Sequence, residues 1–462
     1  MEDDGKGEEA NEKDVGKSEE EAALVRKIDI RILPILCSIA CFQYLDKTAI
    51  NYAAILHLKT DLQLDVQRFN FVGAIFYIGY LITQRIPLGR YIGLIVFFWG
   101  AVLVCTGFVQ NYSQLLALRF VLGFFEGGIY PAFTLLVATF YRRREQATRL
   151  SYIWLSNGVA VALGGLMAYG IGLMDDHGMA RWRWLVFIFG TVTCFIGFVA
   201  FFFLSGNPKA KRMGLTAQQE ALVDERIRDN QVYRTKTIKR EQQIEALKEI
   251  RLWAFSISTF VFGLRSGGMS IYETQITHSF GYSELYSILL TFPYGIVDAI
   301  SLLVCAYIAS KINQTLYVAS AVRAMGTIGT LLMIVIPNEK LKIIGQYISA
   351  CNITAFVLLL SSLTNNVAGY TKKVFYSSIM MGCFTVANIA GPFVMAPEFA
   401  PTFVGSFIIH ICTSIIAILC LLLARWRMAV ANRRKAAQPS DTMTRVEDDL
   451  TDVQDPNFVY RL

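Results

Sequence analysis

Arg119 and Glu126 sit in the stretch RFVLGFFEGGIYPAF, two formal charges inside an apolar run. A separation of seven residues is about two helical turns, so a helix would set both side chains on one face some 10 Å apart along its axis. Charge at the centre of a membrane helix costs on the order of 2.5–3.5 kcal/mol, and such residues face a bundle interior or a wet cavity. A second pair, Asp46 and Lys47, lies late in FQYLDKTAINYAAI. Adjacent helical residues point about 100° apart, so at least one of the two needs a partner on another helix. The pairings to expect are Asp46 with Arg119 and Lys47 with Glu126; the alternative is that Asp46 and Lys47 snorkel at the outer end of their span.

Further polar residues interrupt the second half of the chain. Arg265 lies in FGLRSGGMSIYE with Glu273 near the end of that run, Asp298 lies in YGIVDAISLL, and Asn352, Asn388 and His410 fall in later runs. An Arg265–Asp298 bridge between neighbouring helices is expected. Asn352 and Asn388 suit either interhelical hydrogen bonding or substrate contact, and His410 reads as a satisfied polar side chain. No catalytic triad, metal cluster or phosphate-binding glycine loop presents itself, so neither an enzyme nor a cofactor or metal is expected. All nine cysteines lie in apolar runs, with no disulfide or metal spacing, and read as small hydrophobes.

The elements that must carry these charges follow from composition. The chain has 462 residues, 54% hydrophobic and 17% charged, with a mean hydropathy of +0.44, the profile of a membrane protein. Twelve apolar runs approach the roughly 20 residues that cross the hydrocarbon core, at 32–56, 69–88, 91–110, 113–140, 150–173, 184–205, 252–275, 285–309, 315–336, 341–366, 374–396 and 403–424. Continuous runs of this length must be helices, since lipid-exposed backbone has to satisfy its own hydrogen bonds, and transmembrane strands are about half as long. The expected architecture is all-α, with six-helix halves at 29–205 and 252–425, a linker at 206–251, and polar disordered tails at 1–28 and 426–462.

Lys and Arg concentrate in QRIPLGR, YRRREQATR, the linker, KINQ, GYTKK and RWRMAVANRRK, which places both termini in the cytosol. The acidic opening residues have no signal-peptide pattern. The net charge of +7 is spread over loops that meet anionic lipid, so membrane lipid is the expected partner and nucleic acid is not. In the linker, Thr216 and Gln219 have capping-box spacing, and a second helix is expected over 238–251 with Ile244, Leu247 and Ile250 on one stripe. The glycines of NGVAVALGGLMAYGIG, Gly158, Gly164, Gly165, Gly170 and Gly172, allow close approach to a neighbouring helix and read as a packing and rocking surface.

Over nearly its whole length the chain resembles the major facilitator superfamily, and within it the fungal allantoate permease branch of the anion:cation symporters. The resemblance runs through ILPILCSIACFQYLDKTAINYA, QRIPLGRYIGLIVFFWG, LRFVLGFFEGGIYPAF, GLTAQQEALVDERI, NNVAGYTKKV and VANIAGPFVMAPEFAP. It implies secondary active transport of a small organic anion, a carboxylate, ureide or vitamin-like molecule, coupled to protons at a site between the halves. Asp46 matches the family's first-span acid, Arg119 its fourth-span arginine and Glu126 its fourth-span glutamate. Asp46 and Glu126 are then the proton-coupling groups, and Lys47, Arg119, Arg265, Asn352 and Asn388 the substrate-binding ones. The division is physically sound: a carboxylate out of water can take up and release a proton near neutral pH, while arginine keeps its charge and grips a carboxylate with two hydrogen bonds.

The chain departs from the family in Lys47 and Ala49, where arginine and asparagine are usual, around Tyr272 and Glu273, and in a shortened second span. The purely apolar part of that span, Phe69 to Thr83, is 15 residues, below the roughly 17–25 expected. The reading is therefore proton-coupled uptake at the plasma membrane. Its alternatives are an exporter of a small acidic metabolite and, from another class, a membrane receptor or inactive relic.

Overall fold

In the computed structural model, residues 4–83, 91–175, 178–210, 213–229, 238–395, 399, 402–437 and 449–462 are described. They are helical with no strand. The first bundle comprises α1 (Asp4–Ile55), the short α2 (Leu58–Asp61), α3 (Val66–Thr83), α4 (Ile92–Thr106), α5 (Tyr112–Glu126), α6 (Ile129–Phe140), α7 (Arg143–Gly172) and α8 (Arg181–Phe203). Two helices follow, α9 (Ala217–Asp229) and α10 (Arg240–Lys248). The second bundle comprises α11 (Ile250–Ser279), α12 (Glu284–Leu289), α13 (Thr291–Ile312), α14 (Thr315–Val335), α15 (Lys342–Ala350), α16 (Asn352–Asn366), α17 (Tyr370–Val394) and α18 (Val404–Ala437). Among the described residues, nine helical stretches are long and apolar enough to cross a membrane, and α4 is a shorter apolar helix. The second expected span is α3, 18 residues long; Gln84, Arg85 and the rest of QRIPLGR lie outside the described residues.

Small residues decide how closely these helices pack. A Cβ added at Gly123 of α5 would lie 1.9 Å from the Phe76 carbonyl oxygen of α3, so that crossing requires glycine. The glycine-rich face of α7 meets α13 of the other half: a Cβ at Gly165 would lie 2.1 Å from Thr291 Oγ1, and one at Gly295 would lie 2.6 Å from the Gly158 carbonyl oxygen. The halves thus meet along α7 and α13, α1 and α11, and α3 and α17.

One end of the bundle is sealed. There the Thr274 amide and hydroxyl donate to Asn51 Oδ1 at 3.1 and 2.6 Å, joining α11 to α1. The Tyr272 hydroxyl donates to Asn70 Oδ1 at 2.6 Å, joining α11 to α3, and Lys59 bonds Gln275. Tyr272 is therefore part of the contact between halves, and Glu273 adjoins it.

The other end carries both chain ends and the linker, and it corrects two expectations. The opening residues are not a disordered tail to residue 28: α1 is helical from Asp4, and Leu24, Ile28, Ile32 and Leu36 form a buried stripe at four-residue spacing. Charges hold that extension, with Arg142 and Arg226 pairing with Glu21 at 2.9 and 2.6 Å and Arg149 with Asp29 at 3.0 Å. Thr216 and Gln219 make the reciprocal bonds of a capping box at 3.2 and 3.3 Å at the start of α9.

At the other terminus, α18 continues to Ala437, and residues 449–462 fold back onto the second bundle, although 426–462 reads as a disordered tail. Asp452, fully buried, lies 2.9 Å from Lys372 Nζ, bonds Arg251, and accepts from the Tyr460 hydroxyl at 2.7 Å. Polar composition predicts disorder only where polar groups have no partners to leave water for; here two cations on α11 and α17 supply them.

The expected second linker helix is shorter than 238–251, since α10 ends at Lys248 and α11 begins at Ile250. Ile244, Leu247 and Ile250, a stripe expected against either the membrane or the bundle, are exposed and so do not pack on the bundle.

Candidate functional site

Between the two halves lies a cavity of about 590 Å³ whose lining reaches Leu150, Thr364 and Lys373 at the end that carries the termini. The lining draws on both bundles: Gln43, Tyr44 and Lys47 from α1, Tyr77 and Tyr80 from α3, Glu126 and Tyr130 beside the α5–α6 break, Trp154 and Asn157 from α7, and Phe262, Phe356 and Phe384 from α11, α16 and α17. Its charged residues are Lys47, Glu126 and Lys373.

Two of the expected site residues therefore face this space, Lys47 and Glu126. Among the described residues Lys47 has no carboxylate partner, and its amine stands 5.8 Å from the Tyr44 ring centre and 5.1 Å from that of Tyr77. The faces of both rings attract a cation without neutralising it. Glu126 is fully buried with both carboxyl oxygens unpartnered, and only its backbone carbonyl accepts, from Gln43 at 3.4 Å. Among the described residues the expected Lys47–Glu126 ion pair does not form within 4 Å, although both residues line the cavity, Lys47 from α1 and Glu126 from the end of α5.

Asp46 takes the other direction that adjacency on a helix imposes. Its carboxylate accepts from Trp99 Nε1 at 2.9 Å and from Thr193 Oγ1 at 2.8 Å, between α1, α4 and α8. It is buried, so it does not snorkel, and among the described residues it has no salt bridge to Arg119. Arg119 is buried on the same stripe of α5 as Glu126, with Leu115, Leu122 and Gly123, as their spacing requires, but it lies outside the cavity lining.

The second-half candidates are buried away from the cavity lining. Arg265 donates to Ser349 Oγ at 2.9 Å and to Thr330 Oγ1 at 3.4 Å, joining α11 to α14 and α15 instead of bridging to Asp298. Asn352 and Asn388 donate locally, to the Ser349 and Phe384 carbonyls at 2.9 and 2.7 Å, and each leaves its Oδ1 unpartnered. Both His410 nitrogens are likewise buried without a partner, which corrects its reading as a satisfied side chain.

Sequence reasoning passed over Arg323, buried in α14 with Nε and one terminal nitrogen unpartnered. The signal was the same as for Arg119, an arginine inside an apolar run. It also passed over the aromatic rings in the cavity wall, because aromatic residues in a membrane span carry no distinguishing mark.

Comparison with known proteins agrees with this architecture. The family model described as Major Facilitator Superfamily matches residues 36–392. An uncharacterised transporter of Schizosaccharomyces pombe is 31% identical, covering 96% of this chain and 90% of the relative. The allantoate permease of Saccharomyces cerevisiae is 30% identical over 98% of this chain and 89% of its own length, and the thiamine pathway transporter of the same yeast is 27% identical over 98% and 88%.

Among solved structures, a bacterial homologue of the human lysosomal transporter Spinster, inward-facing and occupied, superposes with a TM-score of 0.60 at 14% identity, over 85% of this chain and 96% of that one; this likeness concerns the fold. A two-bundle helical membrane protein with a cavity between its halves, matched by this family model over most of its length, is a membrane transporter and not an enzyme: the chain belongs to the Major Facilitator Superfamily.

Proposed function

We propose that the chain is a proton-coupled carrier that takes up a small organic anion across the plasma membrane, with both termini in the cytosol. The observation that carries this reading is the pair facing the cavity, an amine with no carboxylate partner and a carboxyl group with no hydrogen-bond partner. Lys47 meets the substrate's carboxylate as a point charge. Glu126 carries the proton.

Charge balance couples the two. An empty site with ionised Lys47 and Glu126 is neutral, and a site holding both the anion and a proton on Glu126 is neutral again. Anion alone or proton alone leaves one net charge in the closed centre, where an uncompensated ion costs several kcal/mol. Closure is therefore favoured only for the empty and fully loaded states, which is the requirement for symport. Asp46, held by Trp99 and Thr193, is a second candidate proton group, and Arg119 lies on the Glu126 face behind the cavity.

The distribution of Lys and Arg makes the open end cytosolic. Breaking the Asn51–Thr274 and Tyr272–Asn70 contacts while the halves rock about the α7–α13 glycine surface would expose the cavity to the other side. The likeness to the allantoate permease of Saccharomyces cerevisiae supports a small-molecule carrier.

The test is transport in liposomes containing the purified protein, with Lys47→Gln and Glu126→Gln. In Glu126→Gln the anion-loaded site is still neutral but the empty site carries +1, so exchange of labelled for unlabelled anion should persist while net proton-driven accumulation is lost. Lys47→Gln should lose both. Accumulation by Glu126→Gln at the parent rate would overturn the proposal.

A further inference from the structure

We infer that the transported anion is a monocarboxylate built on a flat, unsaturated ring, which lies against an aromatic wall of the cavity while its carboxylate meets Lys47. The inference rests on the carrier reading above and concerns the body of the substrate, which charge alone does not define.

The wall is continuous across the two halves. Tyr130 of α6 stacks on Trp154 of α7 at 5.1 Å between ring centres and 10° between planes. Trp154 meets Phe356 of α16 edge to face at 6.1 Å and 82°. Phe356 stacks on Phe262 of α11 at 4.2 Å and 3°, and on Phe384 of α17 at 5.3 Å and 16°. Five rings from five helices thus line one cavity. Aromatic faces and edges attract another ring in offset or edge-on geometry beyond the gain from buried area, and they offer a saturated chain no such match.

The rest of the lining narrows the class further. On the side of the second bundle the neighbours of these rings include Ile353, Leu360, Leu363, Met380 and Met381, and thioethers adapt to an aromatic edge. An amide laid against these ring faces finds no hydrogen-bond partner there, and polar groups buried without partners oppose binding; the hydrogen-bonding groups of the lining, Gln43, Asn157, Ser377 and Ser378 among them, suit polar substituents at the ring's edge.

The cationic complement is equally restrictive. Arg119, Arg265, Arg323 and Lys372 are all buried outside the lining. Lys373, at the open end, donates to the Thr364 carbonyl at 2.8 Å. Lys47 is the other amine of the lining; one amine serves one carboxylate, and a second carboxylate on the substrate would face Glu126.

The test uses the full-length protein in nanodiscs and measures binding by calorimetry for four probes: indole-3-carboxylate, cyclohexanecarboxylate, terephthalate and allantoate. Indole-3-carboxylate should bind at least tenfold more tightly than each of the others. Phe356→Leu should remove most of its advantage over cyclohexanecarboxylate, whereas Phe356→Tyr, which keeps the ring, should retain it; thermal unfolding establishes that both variants are folded.

Equal or tighter binding of allantoate or cyclohexanecarboxylate, lost in Lys47→Gln, would overturn the ring requirement and leave the anion-carrier reading intact. Binding of indole-3-carboxylate unchanged in Phe356→Leu would also overturn it. Binding of every probe unchanged in Lys47→Gln, or of none to the parent, would count against both.

Discussion

Asp452→Asn should release the carboxy-terminal segment from the second bundle. The substitution keeps the side chain's shape and removes one negative charge from a site where Lys372 is fully buried and Arg251 nearly so. Removing one partner of a buried ion pair costs about 3–5 kcal/mol. Here the lower end applies, because Glu245 lies 2.7 Å from Lys372 and Glu249 2.5 Å from Arg251, so neither cation is stranded. At one decade per 1.4 kcal/mol, a loss of about 3 kcal/mol shifts the docking equilibrium roughly 150-fold toward the open segment.

Amide hydrogen exchange of residues 449–462, read by mass spectrometry on the full chain, should show protection reduced by that order while the membrane helices are unchanged. Acid should mimic the variant. Burial by itself would raise the Asp452 pKa, but the charges of Arg251 and Lys372 outweigh it and hold the carboxyl below its ordinary value. Its stabilisation is therefore present above the ordinary carboxylate pKa of about 3.9 and lost as pH falls through the lower, folded value, so the segment should stay docked between about pH 5 and 8. Unchanged exchange in Asp452→Asn, or release near neutral pH in the parent, would refute the reasoning.

Further expectations concern packing and the sealed end. Gly123→Ala forces α5 off the Phe76 carbonyl of α3 and should destabilise by about 1–3 kcal/mol, seen as earlier thermal unfolding; unfolding at the parent temperature would mean the crossing is looser than it looks. Asn51→Ala removes the side-chain acceptor of the Thr274 amide and hydroxyl and leaves the hydroxyl only the Asn51 backbone carbonyl at 3.0 Å. It should raise the reactivity of a cysteine placed at Ile55, buried one turn further along α1, toward impermeant thiol reagents added from the sealed side, and unchanged labelling would show that these bonds do not hold that end shut.

Much of this molecule is legible in its sequence because lipid imposes simple rules: run length gives the helices, and charge inside a run marks the bundle interior. Those rules bring out Lys47, Glu126, Arg119 and Asp46 as buried or cavity-facing groups. They do not say which partners each one finds, since partners depend on helix rotation. Asp46 and Lys47 had to diverge, but that Asp46 turns to Trp99 and Thr193 follows from how α4 and α8 pack on α1.

The same limit explains the missing Arg265–Asp298 bridge, in place of which Arg265 finds hydroxyls on α14 and α15. The carboxy-terminal segment was misread for a related reason. Its polarity is that of a disordered tail, and the group that orders it, Arg251, lies 201 positions from Asp452. The aromatic wall was illegible because its five rings come from five helices and none has unusual local spacing.

The central claim is that one proton on Glu126 accompanies each anion held by Lys47. Its most direct test is to load liposomes containing the protein with a pH-sensitive dye and add the bound anion outside at equal pH, recording anion entry and luminal acidification together. The account predicts acidification in the parent with one proton per anion, and in Glu126→Gln anion exchange without any proton movement. Proton movement persisting in Glu126→Gln, or anion accumulation in the parent with no acidification, would contradict it.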